Sequence, residues 1–383
     1  MAEIEYVREQ DRFDGLRDEW SALLSESGAD NLFLTWEWLS TWWRHLSGDR
    51  KLHLATVRSR GRLVALAPLV VRPPGISSVL PFPALEFMGT GSIGSDYLDV
   101  VVRRGEEERA LKDLAEHLAG TNRAVELEQI KIRGCVAAEI GRLLGGRGWS
   151  VQEEETNVSR HISLAGRSWT AYLDSLGAAH RYNVHRRLRK LEREFDLRFE
   201  KTVTEEERRP ALARLIALHG ARWQGYSRAF HTPNHVRFHE EISRLACQRG
   251  WLRIYTLWLD GEPVAALYGF RYGTVFSFYQ SGFDPNYAKY STGLVTMGLT
   301  IKSAIEEGVE EYDMLQGVEQ YKEHWAHETR PLGRLEFYPP RVRGLVYRRA
   351  MELSRAARRA ARRVLPRKLA DRIATRRELA TRS

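Results

Sequence analysis

Apolar and polar positions alternate through LHLATVRSRGRLVALAPLVV, which begins at Leu52 and has Gly61 near its midpoint. Such alternation around a glycine predicts a β-hairpin. The pattern returns 200 residues later as LRIYTLWLDGEPVAALYGFR from Leu252, where Leu, Thr, Gly, Val and Ala coincide without a gap. Each hairpin follows a helical, Trp-bearing region and precedes a further strand. The chain is therefore expected to hold two related α/β units in tandem. Residues 1–165 form the first unit, 166–340 the second, and 341–383 a basic helical tail.

A change of period marks the helices. EEERALKDLAEHLAG (106–120) has helical spacing, as does WTAYLDSLGAAHRYNVHRRLRKLEREF (169–195), whose Val184, Leu188, Leu191 and Phe195 share a stripe. The other faces of the second segment carry Arg181, His185, Arg186, Arg187, Arg189, Lys190 and Arg193. A solvated face is the default for such a run, and an anion site for phosphate groups is the alternative. Trp36, Trp38, Trp42 and Trp43 cluster in LFLTWEWLSTWWRHL. Large aromatics at this density are expected in the core before a ligand cleft.

Charge changes the picture only at the C-terminus. Residues 341–383 hold 15 Lys+Arg against 3 Asp+Glu, a balance of +12, which leaves 44 against 47, or −3, for the rest. The near-neutral body argues against a specific nucleic-acid partner. The tail suits docking on the protein itself, an anionic membrane face or another polyanion. The longest notable apolar run, LVALAPLVV at 63–71, is too short to span a bilayer. No basic start followed by an apolar core opens the chain, and Cys135 and Cys247 are too few for a disulfide framework. A cytoplasmic protein is expected, with the inner face of the membrane as a place for the tail.

Two motifs fail on context. GTGSIG (89–94) has the spacing of a dinucleotide loop, but SDYLDVVV (95–102) after it is a strand pattern and no helix follows to meet a pyrophosphate. His231, His235 and His239 recur every four residues, yet Thr232-Pro233 starts the helix after His231, so no metal is expected there.

The junction FYQSGFDPNYAKYSTG (278–293) passes the same test. A strand, TVFSFYQS (274–281), runs into a loop and then into the helix LVTMGLTIKSAIEEG, which Gly308 ends. Ser291 and Thr292 are cap candidates, Gly293 admits a ligand to the backbone, and Lys289 adds positive charge. Free N–H groups and the dipole make such a helix start suited to phosphate. A second strand, VEEYDML (309–315), follows, with Asp313, Glu319, Tyr321, Lys322 and Trp325 gathered at its exit.

DGEPVAALYGFRYG, YQSGFDPNYAKYSTG and EEYDMLQGVEQYKEHW, in this order, resemble the CelD/BcsL-type members of the GNAT acetyltransferase superfamily, a group associated with cellulose and exopolysaccharide synthesis. LFLTWEWLSTWW and GSDYLDV resemble it too, so the likeness covers about residues 30–330. The resemblance implies an α/β fold of tandem GNAT-like domains with mixed central sheets, and an acetyl-CoA or other acyl-CoA donor with no metal. It places pantetheine between strands 274–281 and 309–315, beside Tyr279 and Gln280. The diphosphate then falls on Lys289, Tyr290, Ser291, Thr292 and Gly293, although the family's paired glycines are absent there. In the first unit GSIGSDYLDVVV holds the corresponding place, which implies that this unit lost donor binding and shapes the acceptor side.

Acyl transfer to an amine or hydroxyl needs a base, an oxyanion site and an acid for the leaving thiolate. The resemblance puts Asp313 or Glu319 as base, Tyr321 as acid and Lys322 against phosphate or acceptor. Relatives of the FemAB type take the acyl group from aminoacyl-tRNA, which is the alternative enzyme. A non-catalytic assembly factor on the same scaffold is the alternative outside enzymes.

Overall fold

The computed structural model describes residues 2–73, 83–91, 93–224, 227–317, 319–340 and 342–364. Contacts divide the chain into two units that interleave along the sequence. One comprises 1–90, 97–156 and 333–383, the other 91–96 and 157–332.

In the first unit, strands Ala2–Val7, Leu54–Ser59, Arg62–Ala67 and Val101–Val102 make an antiparallel sheet in that spatial order. Trp36, Trp38 and Trp42 are buried on helix Trp36–Leu46, as expected for core indoles. The expected strand over 95–102 shrinks to Val101–Val102. Asp99 explains part of this, because its carboxylate accepts from the N–H groups of Val100, Val136 and Ala137 at 2.7–2.8 Å. Such local side-chain acceptors compete with ladder pairing. Helix Val342–Val364 sits in this unit, with Tyr347 and Met351 buried and Tyr347 Oη donating to Glu126 at 2.6 Å. Residues 341 and 365–383 of the expected tail lie outside the described residues.

The second unit repeats the first three strands in register. In the first unit Ala2 faces Ser59, Val57 faces Ala65, and the register shifts between Val57 and Arg58. In the second, Leu197 faces Leu259, Leu257 faces Ala265, and the shift falls between Leu257 and Trp258. Both turns place two residues at positive φ, Arg60-Gly61 and Asp260-Gly261, the conformation of a two-residue hairpin turn. A shared bulge and turn are stronger evidence of duplication than shared letters, since bulges are specific local devices. The protein is a tandem of two related α/β units.

After the hairpin, strand Val275–Phe283 pairs antiparallel with Glu262–Tyr272, and helices cover both faces. Helix Glu205–Trp223 lies so close that a Cβ on Gly282 would meet His219 N at 2.2 Å and Leu218 C at 2.4 Å. On the opposite face Phe276 stacks on Tyr312 and both join Met297, Ile301 and Trp325 in the core. The expected helix over 169–195 is two, Trp169–Asp174 and Ala178–Glu194, with Gly177 as cap of the second.

Candidate functional site

Strand Val275–Phe283 runs parallel to strand Glu311–Gln316, but only three pairs form: Val275 with Glu311, Phe276 with Tyr312 and Ser277 with Asp313. Beyond them the strands part. The cause lies in the second strand. Leu315 takes φ 54°, a left-handed conformation that costs a non-glycine residue roughly 1–2 kcal/mol. Asp313 Oδ1 accepts from Leu315 N at 2.8 Å and from Ser159 Oγ at 2.9 Å, which holds that kink. Lys322 Nζ donates to the carbonyls of Gln316 at 2.8 Å and Leu315 at 3.4 Å, and pairs with Glu319 at 3.2 Å.

Near the far end of strand Val275–Phe283 lies a cavity of about 240 Å³, lined by Ala266, Leu267, Ser281 and Phe283 and by no residue of strand Glu311–Gln316, that reaches the start of helix Thr292–Glu306. Ser291 precedes the helix at φ 57°, and its carbonyl accepts from Leu294 N and Val295 N. Among the described residues the amides of Thr292 and Gly293 have no acceptor. Thr292 lines the cavity, and its buried Oγ1 also lacks a partner. First-turn N–H groups and the positive end of the helix dipole thus open on a concave space.

The far wall is aromatic and cationic. Phe283, Tyr321 and Trp325 line it with Arg222, from the last turn of helix Glu205–Trp223. Arg222 Nη1 donates to Ser281 Oγ at 2.9 Å, and its guanidinium lies 5.0 Å from the Phe283 ring centroid and 5.9 Å from that of Tyr321. Burial pulls the Arg222 pKa down, against the attraction of Tyr321 and Glu319. Burial, and then the Glu319 charge, push the Tyr321 phenol well above its usual range, so it remains protonated.

Residues 178–323 match the family model for an acetyltransferase (GNAT) domain. The chain carries a GNAT-fold domain. Among solved structures, FemX is similar over 87% of this chain and 96% of its own, with a TM-score of 0.59 at 13% identity. A C-terminal domain assigned to a lysylphosphatidylglycerol synthetase from Agrobacterium fabrum gives 0.54 at 12% identity, covering 90% of this chain and 96% of its own. L-PGS from Bacillus licheniformis gives 0.50 at 14%, covering 88% and 95%. At these identities the likeness is one of fold. No curated protein matches the sequence significantly.

The GNAT domain brings Ser291, Thr292, Gly293 and Tyr321 to one cavity, and leaves other sequence candidates elsewhere. Asp313 is 1% exposed and bound to Ser159 and Leu315, with Arg330 at 3.7 Å, so it anchors the parting strand. Lys322 is likewise committed to carbonyls rather than turned to a phosphate. Glu319 caps the short helix Gln320–Glu323 and is the more exposed of the two acids. A register shift between Tyr268 and Gly269 sends Tyr279 into the opposite face, where it packs on His239 and Tyr268 and donates to Ile93 O. Gln280 hydrogen-bonds His219. Neither Tyr279 nor Gln280 lines the cavity.

Lys289 and Tyr290 border a shallower hollow outside the helix start. There Arg187 Nη1 donates to Lys289 O at 3.0 Å, and Lys190 Nζ lies 5.1 Å from the Tyr290 ring centroid. Part of the basic face of helix Ala178–Glu194 therefore reaches the loop. His235 and His239 are buried, and burial draws His239 down to about 3.

Arg222 was not among the sequence candidates. Its signal was present: Ala211, Leu215, Leu218 and His219 form a buried stripe, and Arg222 continues it at helical spacing. A guanidinium on an apolar stripe needs a partner or a ligand.

Lys322→Ala should destabilise the domain by about 2 kcal/mol, because the Leu315 and Gln316 carbonyls lose a charged donor. Urea unfolding would measure this; an unchanged midpoint would show that the two carbonyls do not depend on Lys322.

A second expectation concerns Asp96. Its Oδ2 accepts from Gln316 N at 2.7 Å, while burial, reinforced by Asp313, raises its pKa to about 7. A carboxyl raised on folding contributes stability that is present below about pH 4 and lost as pH climbs to about 7, at about 1.4 kcal/mol per unit. Asp96→Asn lacks that slope, so it should gain on wild type between pH 4 and 7 and hold the gain above. Parallel melting-temperature profiles for the two proteins would refute it.

Proposed function

We propose that the second unit is an acyl-CoA-dependent acyltransferase acting on an amine or hydroxyl acceptor. The observation that carries this is a cavity that ends on two unpaired amides of a helix start, beside parallel strands whose pairing stops at Ser277 and Asp313. Pantetheine fits the gap, and the diphosphate fits Thr292, Gly293 and the neighbouring Lys289. Backbone N–H groups of strand Val275–Phe283 beyond Ser277 are the oxyanion donors. Tyr321, kept protonated by burial, gives its proton to the departing thiolate. Glu319, acting directly or through water, draws the proton from the acceptor. Asp313 and Lys322 hold the strands apart.

The first unit has lost donor binding in this reading. Its helix Glu107–Thr121 follows strand Val101–Val102 and is preceded by Glu106, so three acids, Glu106 to Glu108, stand where the second unit has Thr292 and Gly293. Carboxylates at a helix start satisfy the dipole and repel a diphosphate.

A second reading, an aminoacyl-tRNA-dependent transferase of the FemAB kind, is favoured by the likeness to FemX along 87% of the chain. Calorimetric titration with CoA, acetyl-CoA, longer acyl-CoAs and charged tRNA separates the two. Micromolar binding of an acyl-CoA is expected. No CoA binding at millimolar concentration sinks the first reading, and tight binding of charged tRNA alone establishes the second.

The CelD/BcsL resemblance supports, as part of this proposal, an acceptor from exopolysaccharide or cell-envelope synthesis and a position at the inner face of the membrane. No helix among the described residues is long and apolar enough to cross a membrane. Helix Val342–Val364 leaves Val342, Leu345, Val346 and Leu353 exposed, as a peripheral contact with anionic lipid requires.

A further inference from the structure

The guanidinium of Arg222 is bound to no carboxylate among the described residues, and its one hydrogen bond there goes to Ser281 Oγ. Glu319, the nearby carboxylate whose charge it senses, is paired with Lys322. The cation is flanked by rings, with Trp223 4.7 Å and Phe283 5.0 Å from its central carbon. Ring faces favour a cation and supply no anion, so the fork of N–H donors that remains is unmatched.

We propose that Arg222 is the specificity residue of this site, and that the group it recognises is a carboxylate on a small apolar body. The proposal rests on the acyltransferase reading and adds the chemical class of the substrate to it. A carboxylate fits better than a phosphate here. The wall offers one guanidinium and the hydroxyls of Ser281 and Tyr321 among apolar groups, which matches a planar monoanion held by two parallel N–H bonds. A dianionic phosphate needs more donors, and the amides of Thr292 and Gly293 supply those at the helix start, with Lys289 in the adjoining hollow. The cavity of about 240 Å³ also has to take part of the donor, so the carboxylate-bearing part is small.

The carboxylate can belong to the acyl group or to the acceptor, and one experiment distinguishes these sources. The full chain is titrated with plain CoA, with acetyl-CoA, and with the four-carbon dicarboxylic acyl-CoA beside its terminal carboxamide. In the presence of CoA it is then titrated with small α-amino acids beside their amides. One of the two pairs should show a preference for carboxylate of roughly 10- to 100-fold, the scale of hydrogen bonds to a charged group. Arg222→Gln should reduce that preference to about 1, Arg222→Lys should retain part of it, and Ser281→Ala should lower it only a few-fold. Melting curves establish that each variant is folded.

No preference in either pair overturns the inference while plain CoA binding leaves the acyltransferase reading intact. Equal losses for carboxylate and carboxamide, or an equal loss for plain CoA, in Arg222→Gln also overturn it, because Arg222 then serves the diphosphate. A carboxylate preference without any affinity for CoA supports the inference and removes the acyl-CoA reading.

Discussion

Gly282→Val should abolish stable folding of the second unit. A Cβ at this position would lie 2.2 Å from His219 N and 2.6 Å from His219 Cα, and both are backbone atoms of a long helix. A side-chain tip could rotate away, whereas the helix has to translate. Overpacking of this kind costs at least about 3 kcal/mol, a large part of the stability of an ordinary domain. The displaced helix also carries Arg222 away from Ser281, so any protein that survives should lose ligand discrimination. Gly220→Ala is the control on the same helix. Nothing lies within 4 Å of its added Cβ, and a helical Gly→Ala change should stabilise by about 0.5–1 kcal/mol. Urea midpoints for the pair decide the matter. A Gly282→Val protein as stable as wild type would mean that helix and strand are not in contact there.

Gly293→Glu should separate folding from binding in opposite directions. A Cβ here meets Phe283 Cδ1 at 3.4 Å, an ordinary contact, so the backbone accepts a side chain. A carboxylate in the first helical turn favours the helix by about 0.3–1 kcal/mol. The same charge stands where the diphosphate is proposed to sit, and like charges at close range cost several kcal/mol. CoA affinity should drop by on the order of 100-fold while the melting temperature holds or rises. Wild-type affinity in this variant would place the diphosphate elsewhere.

Much of the frame was legible because it is repetitive. The hairpins at Leu52 and Leu252 announced the duplication, and the shared bulge sits at Val57 and Leu257. The strand, loop and helix leading to Gly293 were readable from period and turn chemistry. Side-chain direction was harder. The resemblance set Tyr279 beside the donor, and the register shift next to Gly269 turns it to the other face. Asp313 and Lys322 are the right residue types for chemistry, but their atoms serve the backbone of Leu315 and Gln316. Hydrogen bonds between a side chain and a kinked strand leave no periodic trace. Arg222 stood on an apolar stripe, and its distance in sequence from Ser281 hid their meeting.

The kink at Leu315 bears on how fast and how cleanly a ligand can enter. The gap between the strands is held by Asp313 and Lys322, groups of the protein itself, so it exists before anything binds. Ordering of that edge is completed when the chain folds, and association need not await a rare opening. A rigid, pre-cut slot of this kind tolerates little variation in the thickness of what enters. It also transmits no signal: occupancy should leave the parted strands as they were, and amide exchange along Glu311–Gln316 should be nearly the same with and without ligand.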